Sequence, residues 1–199
     1  MAHQRCFVPV WKQEPADTVL DGFCESALGA RDDGHPAYST LAAFEGFVSH
    51  AIDEVQNSPA LWKNTAIFVT FDEGGGYYDS GYVQPVSFFG HGTRVPMIVV
   101  SPYARPGYVS HTYTDHVSLL KFIERNWGLE PLSARSLDRL PDPISRRRDP
   151  YVPSNRLAIG DMFDYFDFND AHAAAAPPRF AGEGRRQGAR LARRWDLLR

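Results

Sequence analysis

Two adjacent acids followed by three glycines, Phe71-Asp72-Glu73-Gly74-Gly75-Gly76, form the sharpest chemical feature of this 199-residue chain. They end an apolar, β-branched run, Thr65-Ala66-Ile67-Phe68-Val69-Thr70-Phe71, that reads as a short strand. In open α/β sheets ligands gather outside the carboxyl ends of the strands, which is where Asp72 and Glu73 would fall. Neighbouring carboxylates repel unless a cation lies beside them, and oxygen donors of this kind suit a divalent metal ion of unspecified identity. The glycines let the backbone turn sharply and come close to a ligand. The same pattern fits an acidic turn with both side chains hydrated, and short motifs match by chance. Residue types alone leave both readings in place.

His35 is the second candidate. It stands in Asp32-Asp33-Gly34-His35-Pro36, ahead of a helical pattern, and Pro36 suits a first helical turn. An imidazole at a helix entrance can hydrogen-bond a phosphate or move a proton near neutral pH, although a loop histidine is more often plain surface. His91, in Gly90-His91-Gly92, and His111 and His116 carry weaker patterns. Asp79 follows two tyrosines and reads as a turn residue. The sequence holds no Gly-x-Ser-x-Gly elbow, no His-Glu-x-x-His and no Walker-type loop. Nothing around Ser39, Ser87 or Ser101 marks an activated nucleophile, so the acids look like part of a site.

The elements that must carry these residues follow a helix, strand, loop, strand, helix order. Leu41, Phe44, Phe47, Val48, Ala51, Ile52 and Val55 recur at helical spacing up to Asn57-Ser58-Pro59. The unbroken apolar run before Asp72 predicts a strand covered on both faces, as in a parallel sheet. A long Gly- and Tyr-rich loop spans 74–94, and Val95-Pro96-Met97-Ile98-Val99-Val100 predicts a second buried strand. A second helix follows, with Thr114 or Asp115 as cap, Val117, Leu120, Phe122, Ile123 and Trp127 on its apolar face, and Gly128 as its left-handed end. That rhythm belongs to an α/β sheet with crossover helices.

Composition narrows the class. With 43% hydrophobic residues the chain can fill a core, and with a net charge of −3 its overall balance does not attract nucleic acid. Seven arginines crowd the stretch after residue 171, which reads as a solvated tail. No apolar run is long enough to span a bilayer, and the first residues do not form a signal peptide. Cys6 and Cys24 fit two free thiols or one bridge.

Taken in order, the motifs resemble a known family. His35-Pro36, Ser58-Pro59-Ala60-Leu61-Trp62-Lys63-Asn64-Thr65, the Asp72-Glu73 glycine motif through Asp79, Gly92-Thr93-Arg94-Val95-Pro96, Val100-Ser101-Pro102-Tyr103, Tyr113-Thr114-Asp115-His116-Val117-Ser118 and Phe166-Asp167-Phe168 resemble the bacterial phosphoesterase family. That family holds phosphocholine-preferring phospholipases C and an acid phosphatase branch. The resemblance implies an α/β fold, a partial doubly wound alkaline-phosphatase-like sandwich with its N-terminal portion missing. It implies hydrolysis of a phosphate ester or phospholipid, a divalent metal ion held partly by Asp72 and Glu73, and His35 as the catalytic residue near the phosphate. No nucleic-acid partner and no transmembrane segment are expected. Relatives are often secreted or periplasmic.

Two departures stand out. Ser80 follows Asp79 where phospholipase members commonly carry a histidine, which favours the phosphatase-like or an uncharacterised branch; His91 stands where many relatives carry an acid. The family's Glu-Asn metal pair and its Ser or Thr nucleophile have no counterpart in residues 1–30. The chain therefore divides into an irregular lead (1–30), a C-terminal portion of the phosphoesterase domain (31–170) and a tail (171–199). The expectation is a fragment with little activity alone. The alternative is a non-catalytic remnant that binds a metal or a partner, and a sheet short of its first half would self-associate through an exposed edge.

Overall fold

The computed structural model describes residues 32–88 and 90–169. The lead, the tail and both cysteines lie outside these residues. The described residues form two compact units, one of residues 32–77, 95–104 and 169, the other of residues 78–94 and 105–168. No helix among them is long and apolar enough to cross a membrane.

The first unit is a helix–sheet layer. Helix α1 (Leu41–Gln56) starts at Thr40, whose hydroxyl accepts the Ala43 amide at 3.1 Å, and ends at Asn57. Pro59 then opens a one-turn helix, α2 (Pro59–Trp62), at the position where a missing amide costs nothing. Strand β1 (Ile67–Thr70) pairs with β2 (Met97–Val100). Ile52 and Val55 of α1, Trp62 of α2, and Ile67 and Val69 of β1 make the core, with Phe44, Val48 and Val100 packed against it. Each such side chain contributes about 1.5–3 kcal/mol on leaving water.

Three expectations need correction here. The strands are antiparallel, Ile67 opposite Val100 and Thr70 opposite Met97, not parallel. Parallel neighbours need a crossover, usually a helix. No helix occurs between β1 and β2 among the described residues, so the chain returns in the opposite direction. Next, β1 is buried on both faces as expected, but β2 is only half covered, with Ile98 58% exposed. An apolar run reports what a strand can bury, not what covers it. Finally, Pro36 does not begin the helix. It lies in a separate turn, in which the Tyr38 and Ser39 amides both donate to the His35 carbonyl, and α1 starts five residues later.

The second unit is built on helix α3 (Val117–Trp127). Asp115 caps it: Oδ1 accepts the Val117 amide at 2.8 Å, and the Asp115 amide donates to Ser118 Oγ at 3.1 Å. Gly128 closes it in the left-handed region, φ 62°. Phe122 packs on Phe163 and Phe166, at 4.9 and 5.2 Å between ring centroids, around a short 3-10 helix (Phe163–Tyr165). Polar groups tie the loops to this frame. Gln84, fully buried, donates Nε2–H to the Ala158 carbonyl and accepts the Ala158 amide, a strand-like pair made by a side chain. Asp164 Oδ2 accepts hydroxyls from Tyr108, Ser110 and Thr112. Lys121 Nζ donates to the Leu140 and Ile159 carbonyls and to Asp142.

Glu124 of α3 and Asp138 of a second 3-10 helix (Leu137–Arg139) are buried beside one another. Burial, then the hydrogen bond to Asp138, push the Glu124 carboxyl up. Burial also works to raise Asp138, but hydrogen bonds from Ser136, the Leu132 amide and Glu124 outweigh it and hold Asp138 below the usual range. Their environments thus favour a shared proton, carried on Glu124. Glu124's contribution to stability is complete below its ordinary value and disappears as pH rises through its raised folded value. Asp138's contribution is present above its ordinary value and disappears as pH falls through its depressed one.

Two stability measurements check this frame. Lys121→Met leaves two carbonyls without their donor and should lower the urea unfolding free energy by about 2–3 kcal/mol. Glu124→Gln keeps a donor that cannot ionise, so stability followed against pH should lose its decline on the alkaline side and keep its decline in acid. An unchanged profile would contradict the shared proton.

Candidate functional site

The site is assembled around the exit of β1. Ahead of α1, Asp33 Oδ1 accepts the His35 amide at 2.9 Å, folding the loop back on itself. Gly34 adopts φ 78°, and a Cβ there would lie 3.2 Å from Phe71 Cε1 and 3.4 Å from Phe44. The loop thus presses on the residue that precedes Asp72. On the other side Gly75, φ 63°, would set a Cβ 3.1 Å from Pro36 Cγ and 3.3 Å from the Tyr77 ring. His35 is held between these two contacts. Phe44 and Phe71, 4.9 Å apart, anchor the arrangement to the core side of α1.

Within this frame the acids face outward. Asp72 and Glu73 are exposed, and Glu73 Oε2 accepts the Gly75 amide at 2.8 Å, closing the glycine turn. The Tyr77 amide returns to the Gly74 carbonyl at 3.1 Å. His35 is half-buried; its Nδ1 accepts the Ala37 amide at 3.2 Å and its ring leans on Tyr38 at 4.9 Å. With Nδ1 an acceptor, the neutral ring carries its proton on Nε2, which is then a donor. The 34–36 turn thus packs against residues on either side of the acid pair, Phe71 and Gly75.

The donor set suits a hard divalent cation. It supplies two carboxylates of the roughly six oxygens such an ion takes. Among the described residues no group of three or more His, Cys, Asp or Glu is arranged to hold an ion. Asp72 and Glu73 thus fit a metal as part of a ligand set.

The other candidates have different employment. Asp79 accepts the Arg94 amide (2.7 Å), Arg94 Nε (2.9 Å) and Nη2 (2.7 Å), and the Gly81 amide (2.8 Å). The Arg94 side chain, then the two amides, hold the Asp79 carboxyl far below the ordinary range. Asp79 is the clasp of its loop. Gly81 belongs to the same clasp: a Cβ would fall 1.9 Å from Arg94 Nε, so the guanidinium lies where a side chain would be. Arg94's role escaped sequence reasoning because no periodicity links residues 15 apart across an irregular loop. His91 lies 3.5 Å from Asp115, which burial pushes up in pKa and which caps α3. His111 meets the Tyr151 ring edge-on, and His116 stands at the N-cap position of α3 without a side-chain cap bond.

Residues 23–130, more than half of the chain, match the Phosphoesterase family. The chain belongs to that family. The match takes in His35, Asp72, Glu73, Asp79, Arg94 and Asp115, reaches back into the lead segment, and stops before Phe166-Asp167-Phe168. Over 156 residues the chain is 30% identical to the hemolytic phospholipase C of Pseudomonas aeruginosa, covering 67% of this chain and 19% of that protein. Over 188 residues it is 29% identical to phospholipase C B of Mycobacterium tuberculosis, covering 80% of this chain and 29% of that protein. Over 96 residues it is 34% identical to non-specific phospholipase C1 of Arabidopsis thaliana, covering 40% and 18%. The chain thus spans well under a third of these relatives.

The geometry makes two checkable demands. Gly75→Ala combines a strained left-handed backbone with crowding against Pro36, and should cost about 1–2 kcal/mol in urea unfolding. Arg94→Met removes the largest cause of the Asp79 shift and keeps both amides, so carboxyl NMR titration should find Asp79 well below the ordinary range in the parent and raised towards, but still below, 3.8 in the variant.

Proposed function

We propose that this chain contributes to the hydrolysis of phosphate esters, with Asp72 and Glu73 holding a divalent cation and His35 acting on the phosphate. The observation that supports the reading is the packing of the 34–36 turn against Phe71 on one side and Gly75 on the other, the residues that flank the acid pair. When bound, the cation would neutralise charge that develops on the phosphoryl oxygens. Asp72 and Glu73 orient it, Glu73 through an oxygen already fixed by the Gly75 amide. His35 offers Nε2–H to a phosphoryl oxygen or to the leaving oxygen, and Nδ1 stays pinned by the Ala37 amide. Family membership favours a phosphate ester, and the relatives' names make a phospholipid the first substrate to try. The alkaline-phosphatase-like sandwich of the resemblance would add strands beyond β1 and β2.

A second reading has its own support. Only two carboxylates are gathered at the site among the described residues, which suits a remnant that binds a cation or a partner without turnover. The partly covered β2, with Ile98 exposed, offers that remnant a face for self-association.

Calorimetric titration with Mg²⁺, Ca²⁺ and Mn²⁺, paired with hydrolysis of p-nitrophenyl phosphate and its phosphocholine ester, separates the two. The first reading expects weak cation binding, dissociation constants of roughly 10⁻⁴–10⁻³ M, abolished in Asp72→Asn and Glu73→Gln, with low metal-dependent turnover lost in His35→Gln. Binding without turnover supports the remnant, and cation binding that survives both carboxylate changes would rule out the site itself.

A further inference from the structure

Residues 142–155 form a loop closed at its base and charged at its tip. The Ile144 amide donates to Asn155 Oδ1 (2.7 Å), Ser154 returns both its amide and its hydroxyl to the Ile144 carbonyl (2.9 Å each), and Asn155 Nδ2 donates to the Asp142 carbonyl (2.8 Å). Farther out Arg146 and Asp149 pair across a tight turn, the Asp149 amide donating to the Arg146 carbonyl at 3.1 Å. Arg147 and Arg148 stand at the tip of that turn, and all three arginines are exposed. No side-chain ion pair to them is formed among the described residues. Of the two acids in the loop, Asp142 is engaged by Lys121 at 3.0 Å, which leaves Asp149 against three guanidinium groups. Ile144 and Tyr151 flank the turn, 61% and 55% exposed, and His111 supports the Tyr151 ring.

Three like charges in a row repel, and Asp149 of the same turn offsets at most one of them, while the loop that presents them is fastened at its base. The whole chain is acidic, net −3, so overall charge does not draw it to an anionic surface; this cluster has to do so locally. Guanidinium groups grip phosphate oxygens in pairs, and an exposed tyrosine and isoleucine suit the layer where headgroups meet acyl chains. A polynucleotide would be met by a basic groove lined with several stacking rings, whereas this loop has a point-like cluster and one ring.

We propose that the loop 142–155 docks the protein on an anionic phospholipid surface, with Arg146, Arg147 and Arg148 on headgroup phosphates and Tyr151 and Ile144 at the interface. The choice of a lipid over other polyanions rests on the phospholipid reading above, but docking requires no hydrolysis and no metal.

The test is co-sedimentation of the full chain with phosphatidylcholine vesicles, with and without phosphatidylglycerol, in the absence of divalent ions. Binding is expected only with phosphatidylglycerol and should weaken as salt rises. The triple change Arg146→Ala, Arg147→Ala, Arg148→Ala should weaken it roughly ten- to a hundred-fold. A charge-matched control, Arg190→Ala, Arg193→Ala, Arg194→Ala, should cost much less, and Tyr151→Ala should lower what remains at high salt. Equal loss in both triple variants, or no loss in the first, would overturn the proposal, as would an RNA oligonucleotide that binds more tightly than the vesicles and loses its binding in the first variant. Hydrolysis of the soluble phosphocholine ester, measured on the same variants, reports on the catalytic reading alone, so either idea can fail without the other.

Discussion

Between the 34–36 turn and the exit of β1 an added methyl group would be crowded, 3.2 Å from Phe71 at Gly34 and 3.1 Å from Pro36 at Gly75. This double contact is what the candidate site depends on. The strand is buried and rigid, the turn is closed by Asp33 and by the His35 carbonyl, and two glycines in the left-handed region let the pieces meet. Positions of this kind trade conformational freedom for proximity, a common cost where backbone must approach a reacting group. The result is an imidazole whose Nδ1 accepts a neighbouring amide, on a turn packed against the residues that flank two exposed acids.

The acids of this chain divide by what surrounds them. Asp79 is saturated by Arg94 and two amides, Asp115 is spent on the start of α3, and Asp164 collects three hydroxyls. Such carboxylates are structural because they are committed to hydrogen bonds that fix their own loops or helix start. Asp72 and Glu73 differ in that they are exposed and stand at a strand exit, with Glu73 held by one glycine amide. Exposure leaves both side chains accessible to an ion from solvent.

The second unit is held by polar groups that satisfy backbone. Gln84 replaces a strand partner for Ala158, and Lys121 gathers two carbonyls at the end of α3. Irregular segments bury backbone groups that no helix or sheet pairs, and side chains must then complete the hydrogen bonding. This explains how a unit with one substantial helix remains ordered, and why its arginines divide between clasps, such as Arg94, and the unpaired cluster at 146–148.

The amino-acid sequence by itself determined the local elements and the family. Helical spacing located α1 and α3, Thr114 or Asp115 and Gly128 marked the ends of α3, and the unbroken apolar run gave β1 two buried faces. These features depend on periodicity, capping and backbone preference, which act within a few residues and are written there. Strand direction was decided only in three dimensions, because an apolar run has no sense of its partner until the connection between them is known. The separation of Pro36 from α1, the exposure of β2 and the Asp79–Arg94 clasp likewise arise from contacts between residues far apart or outside any period. So does the company His35 keeps: its motif and that of the acids lie 37 positions apart in sequence, and only the packing of two glycines against an aromatic ring and a proline joins them.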